Sequence, residues 1–225
     1  MQSPRRQLIA HVLPMVLFLA LLAFCQLLTT RGQPFFLRHA EFWIYPLQTI
    51  LCGALLLWFR RCYEFHQLRN VAFTLAIALA VFVLWIAPQQ FFHVAPRSIG
   101  FDPSVLASNT ATYWLAIIFR FLRLVVVVPV MEEIFWRGFL LRFVIDEHFE
   151  RVPFGKFTWP SFAIVTVAFI FSHSRPDWLA AFAASALYNV VAYRTRSLTS
   201  CAIAHATTNL LLGFWIMQTH QWGFW

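Results

Sequence analysis

Apolar residues fill this chain in long, nearly uninterrupted runs, not at the spacing of a soluble helix or the alternation of a half-buried strand. The runs lie at about 8–29, 41–59, 70–87, 111–130, 131–146, 160–174, 177–193 and 199–217. About 20 apolar residues carry a helix across a bilayer, so the runs read as transmembrane helices, the short ones tilted or reaching part-way. Turn formers and charges collect between them, in "TTRGQPFFLRHAE", "RRCYEFHQLRN", "APQQFFHVAPRSIGFDPS", "DEHFERVPFGKFTWP", "HSRPD" and "YRTRSLTS". Only helices and closed barrels satisfy their backbone in lipid, and barrel alternation is absent. The expected fold is all-α: a polytopic integral membrane helix bundle of about seven to eight transmembrane helices around a polar intramembrane cavity. The first run is too long for a signal-peptide core and no small-residue cleavage site follows it, so it is expected to stay as the first transmembrane helix.

The stretch 111–146 leaves the count open. As one straight helix it would be about 54 Å long at ~1.5 Å per residue, against a ~30 Å hydrocarbon core. Pro129 lacks the helical donor and clashes with the preceding turn. The expectation is therefore two helices meeting near Pro129, with Glu132 and Glu133 opening the second, where a helix N-terminus favours carboxylates. Arg5, Arg6, Arg60, Arg61 and Arg69 predict a cytoplasmic N-terminus and second loop. Counting 111–146 as one crossing also puts Arg151, Lys156, Arg194 and Arg196 in the cytoplasm, whereas length favours two.

Composition supports the membrane reading. Of the 225 residues 60% are hydrophobic and 12% charged, and the aromatics include 26 Phe and 10 Trp. That charged share is about half the usual one for a soluble domain. Without linkers, repeats or low-complexity tracts, residues 1–225 read as a single membrane domain. The net charge of +8 does not indicate a nucleic-acid partner, because the 17 basic residues stand singly or in pairs between apolar runs. The four cysteines show no CxxC spacing and suggest neither a disulfide framework nor a zinc site.

The polar residues at membrane depth form a short set: Glu132, Glu133, Arg137, His173, His205, Asn209 and Asn189. Arg120, Arg123 and Arg142 also stand in apolar surroundings, near run ends from which long stems can snorkel to the surface. Glu133 and Arg137 are spaced i,i+4 on one helix face, in the order that favours pairing. Glu132 points about 100° away and cannot share that arginine equally. One carboxylate is thus neutralised and the other left free, which separates a structural anion from an ionised base. The bland alternative is a buried ion pair that only joins helices. His205 and Asn209 likewise share a face, and His173 closes an apolar run. A carboxylate, two imidazoles and an amide could supply a general base, a holder of water or metal, and an oxyanion donor. No GxSxG, Ser/Lys or HExxH pattern appears.

These motifs resemble the CAAX proteases and bacteriocin-processing enzymes, the CPBP family, relatives of the Ras-converting CAAX endopeptidase. The family carries EExxxR, FxxxH and HxxxN on successive membrane helices. Here they read Glu132-Glu133 to Arg137, Phe169 to His173, and His205 to Asn209, followed in the first motif by "GFLL". The resemblance covers about 111–217 as a catalytic helix bundle; residues 1–110 show only generic membrane helices. The overall look is most similar to short bacterial CAAX prenyl protease-related proteins that accompany exosortase systems.

The resemblance implies an intramembrane endopeptidase acting on a membrane-embedded or lipidated protein substrate, in the inner (cytoplasmic) membrane of a bacterium. It implies that Glu132 activates water, His173 holds that water or a metal, and His205 and Asn209 stabilise the oxyanion, with Glu133, Arg137 and Phe169 in support. Glu132, His173 and His205 could also ligate one divalent ion such as zinc. Both that and a metal-free glutamate mechanism stay open, the latter preferred for the chemistry. Two other classes remain: a non-proteolytic binding or immunity protein on the same scaffold, and an ion-coupled transporter. The transporter is disfavoured because inverted repeats and paired broken helices are missing.

Overall fold

The computed structural model describes residues 3–29, 34–91 and 100–225. Parts of the predicted breaks, 30–33 and 92–99, lie outside the described residues. The helices are α1 (Pro4–Leu28), a single turn α2 (Phe35–Arg38), α3 (Glu41–Trp58), α4 (Val71–Gln90), α5 (Thr110–Phe143), α6 (Trp159–Phe171), α7 (Trp178–Thr195) and α8 (Leu198–Thr219). No strand occurs among the described residues. Starts fall where the sequence supplies a cap. The side chains of Ser3, Asn109, Thr158 and Ser197 accept the backbone N–H of Arg6, Thr112, Ser161 and Ser200, giving α1, α5, α6 and α8 a partner for one orphan donor each.

Among the described residues, five helices are long and apolar enough to cross a membrane: α1, α3, α4, α5 and α8. The protein is a multi-pass integral membrane protein. Its outer surface is apolar, with Ile118 60% and Leu179 73% exposed, while Glu133 and Arg137 are fully buried. α5 and α8 bury larger shares of their apolar length than α4 and are the inner rods among these helices. α8 packs on α4, α5 and α7; α5 also touches α1, α3 and α6.

The expected break at Pro129 does not occur. Residues 110–143 form one 34-residue helix, so the two runs 111–130 and 131–146 are a single rod, and the glutamates sit in its interior rather than at an N-terminus. The rod widens to π-helix at Leu122–Val127 and Ile134–Leu140. There the Val128 N–H bonds back five residues to the Arg123 carbonyl. In that register the donor for the Leu124 carbonyl would be residue 129, which is proline and has none. The missing bond is supplied from another helix: Asn209 Nδ2 donates to Leu124 O at 2.9 Å. Pro14 in α1 follows the same logic. It leaves the Ala10 carbonyl, four residues earlier, without a helical donor, and the Tyr63 hydroxyl donates to it at 3.0 Å. A proline can therefore stay inside a membrane helix when a neighbour re-satisfies the freed carbonyl.

The single rod brings the basic loops together. Ser197 Oγ donates to Gln67 O, Arg142 Nη1 lies 3.7 Å from Glu64, and the His66 and Phe154 rings are 5.9 Å apart. The 60–69 connection, the 144–158 loop and the α7–α8 turn therefore share one end of the bundle, as the one-crossing count requires.

A second expectation fails at the arginines. Arg120, Arg123 and Arg142 do not snorkel; they are 5%, 7% and 5% exposed. Arg142 instead donates to the carbonyls of Val152, Gly138 and Glu150, fastening the 144–158 loop to α5.

Candidate active site

The site is built from α5 outward. Glu133 and Arg137 stand one turn apart, and Arg137 Nη1 donates to Glu133 Oε1 at 3.1 Å. Arg137 also donates to α7: Nε to Asn189 Oδ1 and Nη2 to the Ser185 carbonyl, each at 3.1 Å. Its guanidinium lies 5.4 Å from the Phe169 ring and 5.5 Å from Tyr188. Asn189 passes the chain of bonds to Thr166 on α6. One arginine thus ties three helices together while neutralising a buried carboxylate, the condition under which a buried ion is tolerated.

Glu133 Oε1 also meets His205 Nδ1 at 2.9 Å, across from α8. An ionised carboxylate only accepts, so His205 must carry a proton on Nδ1, which leaves Nε2 uncommitted. His205 is stacked on Tyr188 with ring centroids 5.0 Å apart. His173, just past α6, is set in the same way. Its Nδ1 lies 2.9 Å from the Phe169 carbonyl, which can only accept. Phe169 thus serves both neighbours, its carbonyl fixing the His173 ring and its own ring lying beside Arg137. Trp85 of α4 closes against His173 edge-on, with centroids 5.6 Å apart.

Glu132 belongs to none of this network. It lines a cavity of about 140 Å³ together with His173, His205, Asn209, Tyr188 and Thr208, and Glu133 is not part of that wall. The volume is well above the ~10–15 Å³ that one water needs in the same measure. Asn209 spends one amide hydrogen on Leu124 O and retains the other. The four residues read as reactive in the sequence, Glu132, His173, His205 and Asn209, therefore face one space. Glu133, Arg137 and Phe169 stand directly behind it. Among the described residues, no group of three His, Cys, Asp or Glu side chains converges as a metal-ligand set.

Residues 112–211 match the family model described as type II CAAX prenyl endopeptidase Rce1-like. This segment is Rce1-like. It contains every residue of the three motifs, and the general activity the match supports is that of a CAAX-type intramembrane protease acting in a lipid bilayer on membrane or prenylated substrates. Comparison with curated proteins and with solved structures finds no match.

Sequence reasoning passed over Tyr188 and Trp85, which aim the two imidazoles, and the Leu124 carbonyl, which aims Asn209. Tyr188 had one signal. It stands with Asn189 in an alanine-rich helix whose small residues Ala180, Ala181, Ala184 and Ala192 are buried, and such faces mark close helix approach.

Proposed function

We propose that the protein hydrolyses a peptide bond in a membrane-embedded or lipidated protein substrate, with Glu132 activating the attacking water. The observation that carries this is the division of labour between adjacent carboxylates. Glu133 is closed off by Arg137 and His205, while Glu132 faces a cavity of about 140 Å³ beside two oriented imidazoles and an amide.

The chemistry follows from those atoms. Water in the cavity donates one proton toward Glu132 and lends a lone pair to the scissile carbonyl. His173, with its proton on Nδ1, offers the Nε2 lone pair to hold the water's second hydrogen. As the carbonyl carbon becomes tetrahedral, negative charge collects on its oxygen. Asn209 donates its remaining amide hydrogen to that oxygen. His205, whose Nδ1 faces Glu133, donates from Nε2 in its doubly protonated form. The C–N bond then breaks and Glu132 returns its proton to the leaving amine, so the enzyme ends as it began. The basic end of the bundle is read as cytoplasmic, in the inner membrane of a bacterium.

The test is processing of candidate lipidated or membrane peptides by purified protein, followed by product mass, with and without chelator. Glu132→Gln is expected to abolish products while the protein accumulates normally, and the native enzyme is expected to keep its activity in chelator. Cleavage by Glu132→Gln removes the proposed base; chelator sensitivity removes the metal-free scheme.

A further inference from the structure

A second cavity opens at the basic end of the bundle, between the 153–157 segment and the last turn of α7. It holds about 380 Å³, far above the ~10–15 Å³ that one water needs in the same measure. It shares no lining residue with the catalytic cavity. Lys156 comes from one wall and Arg196 from the other, with the rings of Phe157 and Tyr193 also in the lining. Both cations are exposed, and neither has an ion pair among the described residues. No Asp or Glu is among the described residues that line the cavity. The backbone is bent to hold this arrangement. Arg196 caps α7 in the left-handed region at φ 51°, a position that glycine or asparagine fills more readily because a Cβ is strained there. Gly155 is also left-handed, at φ 74°. A Cβ on it would run into the Ala192 carbonyl and lie 3.2 Å from Arg196 Cγ, so the Arg196 stem packs on the Gly155 backbone.

The surroundings say which anion. The cavity lies level with the first turn of α6, where Trp159 is 72% exposed. Phe157 meets Trp159 and Tyr193 edge-on, with ring centroids 5.0 and 5.1 Å apart. Tryptophan and tyrosine at a helix end mark the depth of the lipid headgroups. From there α6 runs into the bilayer with Ile164, Val167 and Phe171 exposed on one face, three and four residues apart. A ligand with an anionic head and a hydrocarbon tail matches both features, the head against the cations and the tail along α6. A soluble anion would leave the apolar track unused.

We propose that Lys156 and Arg196 form a binding site for the phosphate headgroup of an anionic phospholipid, in the leaflet at the basic end of the bundle. A basic pocket between helices at a membrane surface suits such a headgroup, and hydrogen bonds from a guanidinium or ammonium to phosphate are charge-assisted. The bound lipid joins two separate pieces of chain. The 153–157 segment follows Val152, whose carbonyl Arg142 fastens to α5. Arg196 precedes Ser197, whose Oγ donates to Gln67 O in the 60–69 connection. One headgroup therefore ties the end of α5 to the α7–α8 turn, and the site stands whether or not the catalytic cavity hydrolyses peptides.

The experiment takes the full chain in neutral detergent and counts lipid adducts by native mass spectrometry. Phosphatidylglycerol and phosphatidylcholine with the same acyl chains compete at equal concentration. Phosphatidylglycerol is expected to be held about tenfold tighter or more. The ratio is expected to fall to about one in Lys156→Gln/Arg196→Gln and to persist in Lys156→Arg/Arg196→Lys, which keeps both charges. Arg151→Gln/Arg194→Gln removes two charges from the same end outside the cavity and is expected to keep most of the preference. A misfolded variant loses both lipids, whereas loss of the site removes only the advantage of phosphatidylglycerol. Should the double variant misfold, Lys156→Gln and Arg196→Gln singly are each expected to cut the ratio about threefold. Equal binding of the two lipids by the native chain overturns the proposal, as does a ratio that these substitutions leave unchanged. A control pair that loses the preference as fully assigns it to the general field of the basic end. Excess inorganic phosphate that displaces phosphatidylglycerol assigns the cations to a free anion. Either result overturns the lipid site.

Discussion

Replacing Arg137 by methionine isolates the structural half of the site. Methionine keeps much of the volume but removes the charge and the donors. Three hydrogen bonds are lost, to Glu133, Asn189 and the Ser185 carbonyl. Glu133, fully buried, keeps only His205 as a partner. Breaking a buried ion pair by deleting one member costs about 3–5 kcal/mol, because the other charge stays behind. Glu133→Gln, which keeps an oxygen acceptor and loses the charge, is expected to cost about 1.5–3 kcal/mol. With Glu133 already neutral, Arg137→Met should cost less, so the double variant is expected to be more stable than the sum of the single effects by at least about 1.5 kcal/mol. Unfolding titrations with an anionic detergent in mixed micelles, followed by tryptophan fluorescence, give the four values of the cycle. Additive effects, or an Arg137→Met protein as stable as the native one, would falsify the view that this pair is a coupled, buried anchor.

The remaining predictions concern how the site is held. Asn209→Ala leaves the Leu124 carbonyl without a donor and is expected to cost about 1–3 kcal/mol in the same titration. Pro129→Ala restores a backbone N–H in reach of that carbonyl, so the Pro129→Ala/Asn209→Ala double variant should regain stability without regaining peptide processing. Failure to recover any stability would break the link drawn between the proline and the asparagine. Gly100→Ala drives a methyl into the Trp222 carbonyl and is expected to displace the C-terminal turn. Its signature is a shifted tryptophan emission, and an unchanged spectrum would contradict the packing described.

Much of this protein was legible before any coordinate. The run lengths and the absence of barrel alternation determined an all-helical membrane bundle, since lipid leaves few ways to satisfy a backbone. The i,i+4 spacings of Glu133 with Arg137 and of His205 with Asn209 are local geometry, so which residues share a face could be read directly. The four-residue step from Phe169 to His173 is of the same kind, and the structure closes it with a hydrogen bond from the His173 ring to the Phe169 carbonyl.

What the sequence misjudged was the rod that carries the glutamates. Pro129 argues for a break when only its own helix is considered. The chain stays helical because the residue that takes the freed carbonyl is Asn209, far away on α8. The same limit explains the arginines. Their long stems permit snorkelling, but rings from α1, α3 and the C-terminal turn surround Arg120 and Arg123 and keep them inside. Spacing along a helix sets which way a side chain points. Whether a missing bond is replaced, or a charge enclosed, depends on groups distant in sequence, and only the packed bundle decides that.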